Sequence, residues 1–137
     1  MTQKQRKKVQ DTFSTYTAVR AVVPRLPYQK IKERVLGSTY TLSLAFISPT
    51  ESKRLNASLR GKQKAANVLA FPLSKRSGEI LICLAVARRD AEIFNTTYRG
   101  CVAMLFIHGL LHLKGYSHGS TMDREERRVR RFFSPGG

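Results

Sequence analysis

The three histidines of the chain fall within one stretch of eleven residues, from His108 to His118. His108 and His112 are four positions apart, a spacing that puts two side chains on one face of a helix. The run before them, residues 101–107, is apolar and contains no Gly or Pro, so we predict that a buried helix carries the pair. Gly115 is expected to end this helix in a left-handed conformation, and the following turn can bring His118 back to the same point.

This arrangement of imidazoles predicts a metal site. Three protein ligands leave part of the tetrahedral shell of Zn²⁺ open, as in catalytic zinc sites rather than structural ones. A lone histidine on an apolar helix is more often a core residue, but a third histidine just beyond a helix-ending glycine favours a site. Metalloproteases have Glu directly after the first histidine of the pair. Gly109 stands there instead, which argues against a peptidase.

Charge is the second strong feature of the sequence. Lys and Arg number 25 against 9 Asp and Glu, which gives a net charge of +16. Such an imbalance indicates a polyanionic partner. An acidic membrane surface is the less favoured partner, because no segment joins a bulky apolar face to a basic one. RNA is favoured, and since no aromatic RNA-recognition motif appears, contacts to its backbone are expected.

The length of 137 residues predicts one domain, residues 1–137, with disordered ends at residues 1–8 and 134–137. No stretch is long and apolar enough to span a membrane. The first residues lack the apolar core of a signal peptide, so a cytoplasmic location is expected, with a short organellar transit peptide as the open alternative. Cys83 and Cys101 lie in apolar runs and are expected to be buried free thiols.

The elements that must position the histidines follow from periodicity and capping signals. We predict a fold of the α/β (α+β) class: a mixed four-stranded β-sheet with helices packed on it and the metal site on the central helix and the following turn. The expected order is an edge strand within 9–23, a helix over 28–36, a strand over 40–47, a helix over 49–60, strands over 68–71 and 79–84, and helices over 85–95, 97–114 and from 120 onward.

The motif His-Gly-x-x-His-Leu-x-Gly-Tyr-x-His at 108–118 resembles the signature of the YbeY family of metal-dependent endoribonucleases and rRNA maturation factors. Residues 55–72, which contain Leu-Asn-x-x-x-Arg and Asn-Val-Leu-Ala-Phe-Pro, are similar to the second conserved block of that family. Residues 78–83 resemble its Gly-Asp-Ile strand. The similarity runs from about Leu26 to Met122 and covers most of the chain.

The resemblance implies a single-strand-specific endoribonuclease that acts in rRNA maturation, at the 3′ end of the 16S rRNA of the small ribosomal subunit, and in ribosome quality control. It implies one zinc ion per chain, held by His108, His112 and His118, with other transition metals as alternatives. Arg60 becomes the candidate that binds the substrate phosphate, because a guanidinium can bind two phosphate oxygens at once. No carboxylate lies in the histidine motif, so the sequence names no general base.

This chain departs from the family pattern at several positions. Ser117 stands where the family commonly has Asp, and it is the candidate for a residue that contacts a metal ligand without binding the metal itself. Gln63, Ala66 and Ala70 stand where the family more often has Asp, Thr and Ser. The last helix is strongly basic where relatives are often acidic.

A second class of function therefore stays open: an RNA-binding ribosome-assembly factor with weak or no cleavage and a structural metal. The sequence does not decide the oligomeric state. The predicted RNA-contacting residues are Lys62, Lys64, Arg124, Arg127, Arg128 and Arg131.

Overall fold

The computed structural model describes residues 12–133, so the two ends predicted to be disordered lie outside the described residues. Within this range the strands and helices follow one another in the order that the sequence predicts. The strands are β1 (Phe13–Thr17), β2 (Thr41–Ile47), β3 (Val68–Ser74) and β4 (Ser77–Cys83), and the helices are α1 (Tyr28–Leu36), α2 (Pro49–Arg60), α3 (Leu84–Ile93), α4 (Tyr98–Lys114) and α5 (Ser120–Phe133).

The four strands form one mixed sheet in the order β1-β2-β4-β3. Strands β1 and β4 both run parallel to β2, whereas β3 pairs antiparallel with β4. Helix α1 lies in the crossover that joins the parallel strands β1 and β2. Strands β3 and β4 are antiparallel, so a short turn joins them as a hairpin. The predicted mixed four-stranded sheet with helices packed on it is confirmed.

Strand β2 divides its side chains between two cores. Leu42, Leu44 and Phe46 point into the larger core, which also contains α1, α4 and α5. Ala45 and Ile47 alternate with them and pack on the opposite face, in a smaller cluster with Leu69, Leu81 and Leu55. Because both faces of β2 are covered, its sequence is almost continuously apolar rather than alternating with polar residues.

Helix α4 is the central helix and packs against α1, α3, α5 and the sheet. It begins where the Thr97 hydroxyl accepts a hydrogen bond from the Gly100 amide at 3.0 Å. It ends at Gly115, which has a φ of 112° and donates its amide to the His112 carbonyl oxygen at 3.0 Å. Both ends agree with the sequence prediction. None of the described helices is long and apolar enough to cross a bilayer.

Two glycines allow α4 to approach the sheet closely. A Cβ added to Gly109 would lie 2.9 Å from Ile80 Cδ1 and 3.2 Å from Ile80 Cγ1 and Cγ2. A Cβ added to Gly78 on β4 would lie 2.9 Å from Leu113 Cδ2 of α4. Position 109 therefore accepts a side chain only if Ile80 shifts, so a residue as large as the catalytic glutamate of a metalloprotease is disfavoured there.

Several predicted element boundaries differ from the structure. Within the region 9–23 that was predicted to contain the edge strand, residues 13–17 form β1 and residues 18–23 are in no strand, while residues 9–11 lie outside the described range. Strand β3 continues through Pro72 to Ser74 with an irregularity in between, because an edge strand tolerates a residue that lacks an amide donor. Strand β4 begins at Ser77, two residues before the predicted start.

Gly109→Ala is expected to destabilise the protein by about 1–2 kcal/mol. Overpacking a filled core costs about 1–3 kcal/mol, and the better helix propensity of Ala offsets at most about 1 kcal/mol. Ile80→Val removes the Cδ1 atom that the new methyl group would meet. The double variant should therefore lose less stability than the two single changes added together, measured by equilibrium denaturation. Additive losses would contradict the close contact.

Candidate functional site

A pocket of about 840 Å³ opens beside the C-terminal half of α4. Its walls come from the end of α2, strand β3, the residue after α3, and the turn after α4. The side chains that line it include all three histidines and Arg60, together with a largely apolar set: Leu59, Asn67, Val68, Leu69, Ala70, Phe71, Phe94, Met104, Leu105 and Gly109. The structure thus brings together residues that are far apart in the chain, such as Arg60 and His118, which are 58 positions apart.

The histidines are close neighbours but do not form a finished coordination site. The ring centroids of His112 and His118 are 4.7 Å apart, and those of His108 and His118 are 6.4 Å apart. Within residues 12–133, no group of three His, Cys, Asp or Glu side chains is arranged so that it could hold a metal ion. The structure therefore supports a shared pocket for the three histidines, and the coordination predicted from the sequence stays a prediction.

His112 has a defined tautomer. Its Nδ1 lies 3.2 Å from the Tyr116 carbonyl oxygen, and since a carbonyl only accepts, Nδ1 carries the proton. Nε2 therefore keeps its lone pair. Burial lowers the pKa of His112, and the nearby His118 and Arg60 lower the pKa further, whereas the bond to Tyr116 opposes the shift. A neutral imidazole with a free lone pair is the form that binds a metal.

His108 is half-buried, and its Nδ1 has no hydrogen-bond partner among the described residues. This nitrogen lies 3.8 Å from Glu126 Oε1, too far for a hydrogen bond but close enough for an electrostatic contact. Burial is the main cause that lowers the pKa of His108, and the Glu126 carboxylate opposes it. An imidazole whose outer nitrogen faces a carboxylate is typical of a metal-ligating histidine. The donor set of three imidazoles therefore fits a transition-metal ion.

Glu126 is the site residue that sequence reasoning missed. Its side chain is buried, and its carboxylate accepts a hydrogen bond from Arg130 at 2.9 Å. The signal was present in the periodicity of α5. Met122, Glu126 and Val129 are the buried residues of this helix, so a single acidic residue occupies a position where an apolar one is expected.

Arg60 is exposed at the last position of α2, where Gly61 ends the helix with a φ of 67°. The basic loop that follows is held in place from behind. Asn56 donates to the Lys64 carbonyl oxygen at 2.8 Å, and the Ser52 hydroxyl donates to the Ala66 carbonyl oxygen at 2.6 Å. The side chains of Lys62 and Lys64 in this loop are exposed, and neither of them lines the pocket that contains Arg60.

The predicted RNA-contacting arginines of α5 share one exposed face. Arg124, Arg127, Arg128 and Arg131 follow the i, i+3, i+4, i+7 spacing of a helix stripe, and all four are exposed. This stripe lies opposite the buried face of α5. None of its members lines the pocket.

Ser117 is exposed on the turn before His118, and among the described hydrogen bonds its hydroxyl contacts no histidine. Of the other departures from the family pattern, Ala70 lines the pocket, whereas Gln63 is exposed in the basic loop. Nothing in the described structure gives Ser117 the orienting role predicted from the sequence. The carboxylate that does approach a histidine belongs to Glu126.

The fold and pocket first define a class. A mixed sheet under a buried helix, with histidines and an arginine lining one pocket of a strongly basic chain, combines features of small enzymes that process nucleic acid. More specifically, the chain belongs to the YbeY endoribonuclease family, since the family model for endoribonuclease YbeY matches residues 1–131.

Individual relatives support this assignment. The chain is 32% identical over 107 residues to the endoribonuclease YbeY of Cupriavidus metallidurans, which covers 74% of this chain and 54% of that protein. It is 32% identical over 114 residues to the endoribonuclease YbeY of Persephonella marina, which covers 77% and 72%. The endoribonuclease YbeY of Polynucleobacter asymbioticus is 42% identical over 81 residues, or 56% of this chain and 52% of that protein. The chain thus spans little more than half the length of several relatives.

A solved structure is similar in fold. The solution structure of TM1509 from Thermotoga maritima matches 91% of this chain and 99% of its own, with a TM-score of 0.64 and 21% sequence identity. At this identity the likeness concerns the architecture of sheet and helices.

Glu126→Gln is expected to lower the pKa of His108 still further. The substitution keeps the shape of the side chain but removes the charge that partly offsets burial. The measurement is a pH titration of the His108 ring by NMR on chelator-treated protein. Glu125→Gln is the matched control, because Glu125 faces Arg128 at 3.7 Å and does not shift the pKa of His108. An unchanged or raised pKa would show that the carboxylate does not act on this ring.

Proposed function

We propose that the chain folds as a single YbeY-like domain, residues 1–137, and acts as a metal-dependent, single-strand-specific endoribonuclease. Its substrate is rRNA of the small ribosomal subunit, at the 3′ end of 16S rRNA, in the cytoplasm where ribosomes are assembled and their quality is controlled. The observation that carries the proposal is the single pocket lined by His108, His112, His118 and Arg60. Membership of the YbeY family supports the activity.

In this proposal His108, His112 and His118 hold one zinc ion. Burial favours the neutral, metal-binding form of His108 and His112, and the Tyr116 carbonyl fixes the tautomer of His112. His118 lies on an exposed turn, so a small displacement of that turn brings its ring towards His108. When bound, the ion supplies Lewis-acid stabilisation of the charge that develops on phosphorus and lowers the pKa of a coordinated water.

The chain's own residues bind and orient the substrate. The Arg60 guanidinium binds the non-bridging oxygens of the scissile phosphate, and the geometry of its planar fork suits two oxygens at once. Lys62, Lys64 and the four-arginine stripe of α5 hold the flanking backbone through charge. The pocket is lined by residues of α2, β3 and α4. A single strand can bend its backbone into such a pocket, whereas a duplex is recognised by its outer shape and does not enter it.

The alternative is an RNA-binding assembly factor with a structural metal. Structural zinc sites are closed by four protein ligands. Among the described residues only the three histidines are available in the pocket as conventional zinc ligands, and Glu126, which lies 3.8 Å from His108 Nδ1, does not line the pocket. The donor set thus favours an open, catalytic site.

The first test is metal content with activity. Purified protein is expected to contain about one divalent ion per chain by elemental analysis, with zinc favoured by imidazole ligands. His108→Ala/His112→Ala should lose the ion. A fluorogenic single-stranded RNA should be cleaved by the loaded protein and not after chelation. Tight RNA binding with metal present but no cleavage would favour the assembly factor, and parental metal content in the double variant would exclude these ligands.

The second test separates chemistry from docking. Arg60→Ala is expected to keep its metal and most RNA affinity but to lose roughly one to three orders of magnitude in single-turnover cleavage at saturating enzyme. Arg54→Ala is the matched control, because Arg54 is exposed on the same helix and pairs with Glu51 outside the pocket.

Neutralising the four-arginine stripe of α5 should produce the opposite defect. RNA affinity should fall and its dependence on salt should flatten, because fewer counterions are released on binding. Turnover at saturating RNA should stay near the parental value. Parental single-turnover cleavage by Arg60→Ala would make Arg60 an ordinary surface charge.

A further inference from the structure

The side chains that line the pocket fall into two chemical groups, which we call the polar wall and the apolar wall. The first, the polar wall, consists of Arg60 and the three histidines, and the apolar wall includes Leu59, Phe71, Phe94 and Met104. A phosphate and an ion use only the first wall. A volume of about 840 Å³ is within the range of pockets that bind small organic ligands, roughly 300–1,000 Å³, and is large for a phosphate group alone.

Phe94 is an exposed aromatic residue in the lining of the pocket. It is 67% exposed, and Leu59, which also lines the pocket, is 53% exposed. Neither side chain belongs to the buried core, so packing in the core does not explain why both are apolar. Polar residues would suffice at these positions if their side chains only faced water. An aromatic ring held at the rim of a pocket in a strongly basic chain is the usual platform for a base of single-stranded nucleic acid.

The backbone around Phe94 is held firmly. Its amide donates to the Asp90 carbonyl oxygen at 2.9 Å, and the Thr96 amide donates to the Ala91 carbonyl oxygen at 2.9 Å. Asn95 takes a positive φ of 55°, which ends α3 directly after the ring. The aromatic side chain is therefore presented from a fixed helix end rather than from a long loop.

We propose that Phe94 and Leu59 form a nucleobase subsite that binds the base next to the scissile phosphate of single-stranded RNA. This inference rests on the proposed endoribonuclease function. It adds that the apolar wall binds a base of the substrate. The base stacks on the Phe94 ring while its phosphate lies against Arg60. One nucleotide thereby contacts both walls of the pocket.

The apolar wall also predicts how selective the subsite is. Its single polar side chain is Asn67, whose amide donates to Asp90 at 2.9 Å and is not directed to a ligand. Reading the edge of a base requires hydrogen-bond donors and acceptors, whereas stacking uses the π-face that every base has. The subsite is expected to accept all four bases, so cleavage position depends on strand accessibility more than on sequence.

A fluorescence experiment tests the stacking directly. The chain contains no Trp, so Phe94→Trp introduces its only indole. Titration with single-stranded oligouridylate should quench the emission with the same midpoint as binding measured by anisotropy. Ile93→Trp is the matched control, because Ile93 is 66% exposed on the same helix but does not line the pocket. Equal quenching of both variants, or no quenching in Phe94→Trp despite binding, would overturn the subsite.

An affinity experiment isolates the base. Phe94→Ala should weaken binding of single-stranded RNA about 5- to 150-fold, which corresponds to about 1–3 kcal/mol for one stacked base. It should not weaken binding of an abasic oligomer of equal length and charge, and Ile93→Ala should affect neither. The salt dependence should stay unchanged, since no phosphate contact is lost.

The outcomes separate the two claims. If the parent protein binds and cleaves RNA but Phe94→Ala behaves like Ile93→Ala, the subsite is wrong and the endoribonuclease function stands. If the parent neither binds nor cleaves single-stranded RNA, both are wrong. Equal weakening for RNA and for the abasic oligomer would also overturn the subsite, because the effect would then not depend on a base.

Discussion

The close packing of α4 on β4 is the constraint on which the rest of the structure depends. Gly109 sits against Ile80 with no room for a Cβ, and Gly78 of β4 sits equally close to Leu113. A helix that is buried on several sides and fixed at this distance has little freedom to rotate or slide. His108 and His112 are part of this helix, so the packing of the sheet also fixes the position of the histidine pair.

Burial and the net positive charge act in the same direction on His108 and His112, because both disfavour the protonated imidazole. A chain with a net charge of +16 already disfavours further protonation, and burial lowers the pKa of His108 and His112 as well. The neutral imidazole is thereby favoured at His108 and His112, while the surface stays strongly positive. Helix α5 shows the same separation, with Glu126 buried towards His108 and four arginines facing solvent. The protein can thus present a positive surface to a polyanion while the neutral forms of His108 and His112 are favoured.

The pocket is assembled by elements that are distant in sequence. The end of α2 contributes Arg60, the edge strand β3 contributes residues 68–71, and the end of α3 contributes Phe94. Hydrogen bonds from Ser52 and Asn56 hold the loop between α2 and β3, and backbone hydrogen bonds hold the end of α3. Polar and apolar side chains therefore line one pocket from fixed helix ends, which is the arrangement that the proposed nucleobase subsite requires.

The sequence by itself determined the order of elements, the mixed sheet, the helix that carries His108 and His112, and its end at Gly115, because periodicity, caps and glycines are local signals. It also indicated Arg60, through the motif in which it lies. Only the tertiary structure decided that Glu126 lies 3.8 Å from His108 and that Phe94 lines the pocket. Strand β3 runs through Pro72 because it is an edge, which depends on its neighbours. These contacts depend on which surfaces pack together after folding, and the local spacing of residues along the chain does not determine that packing.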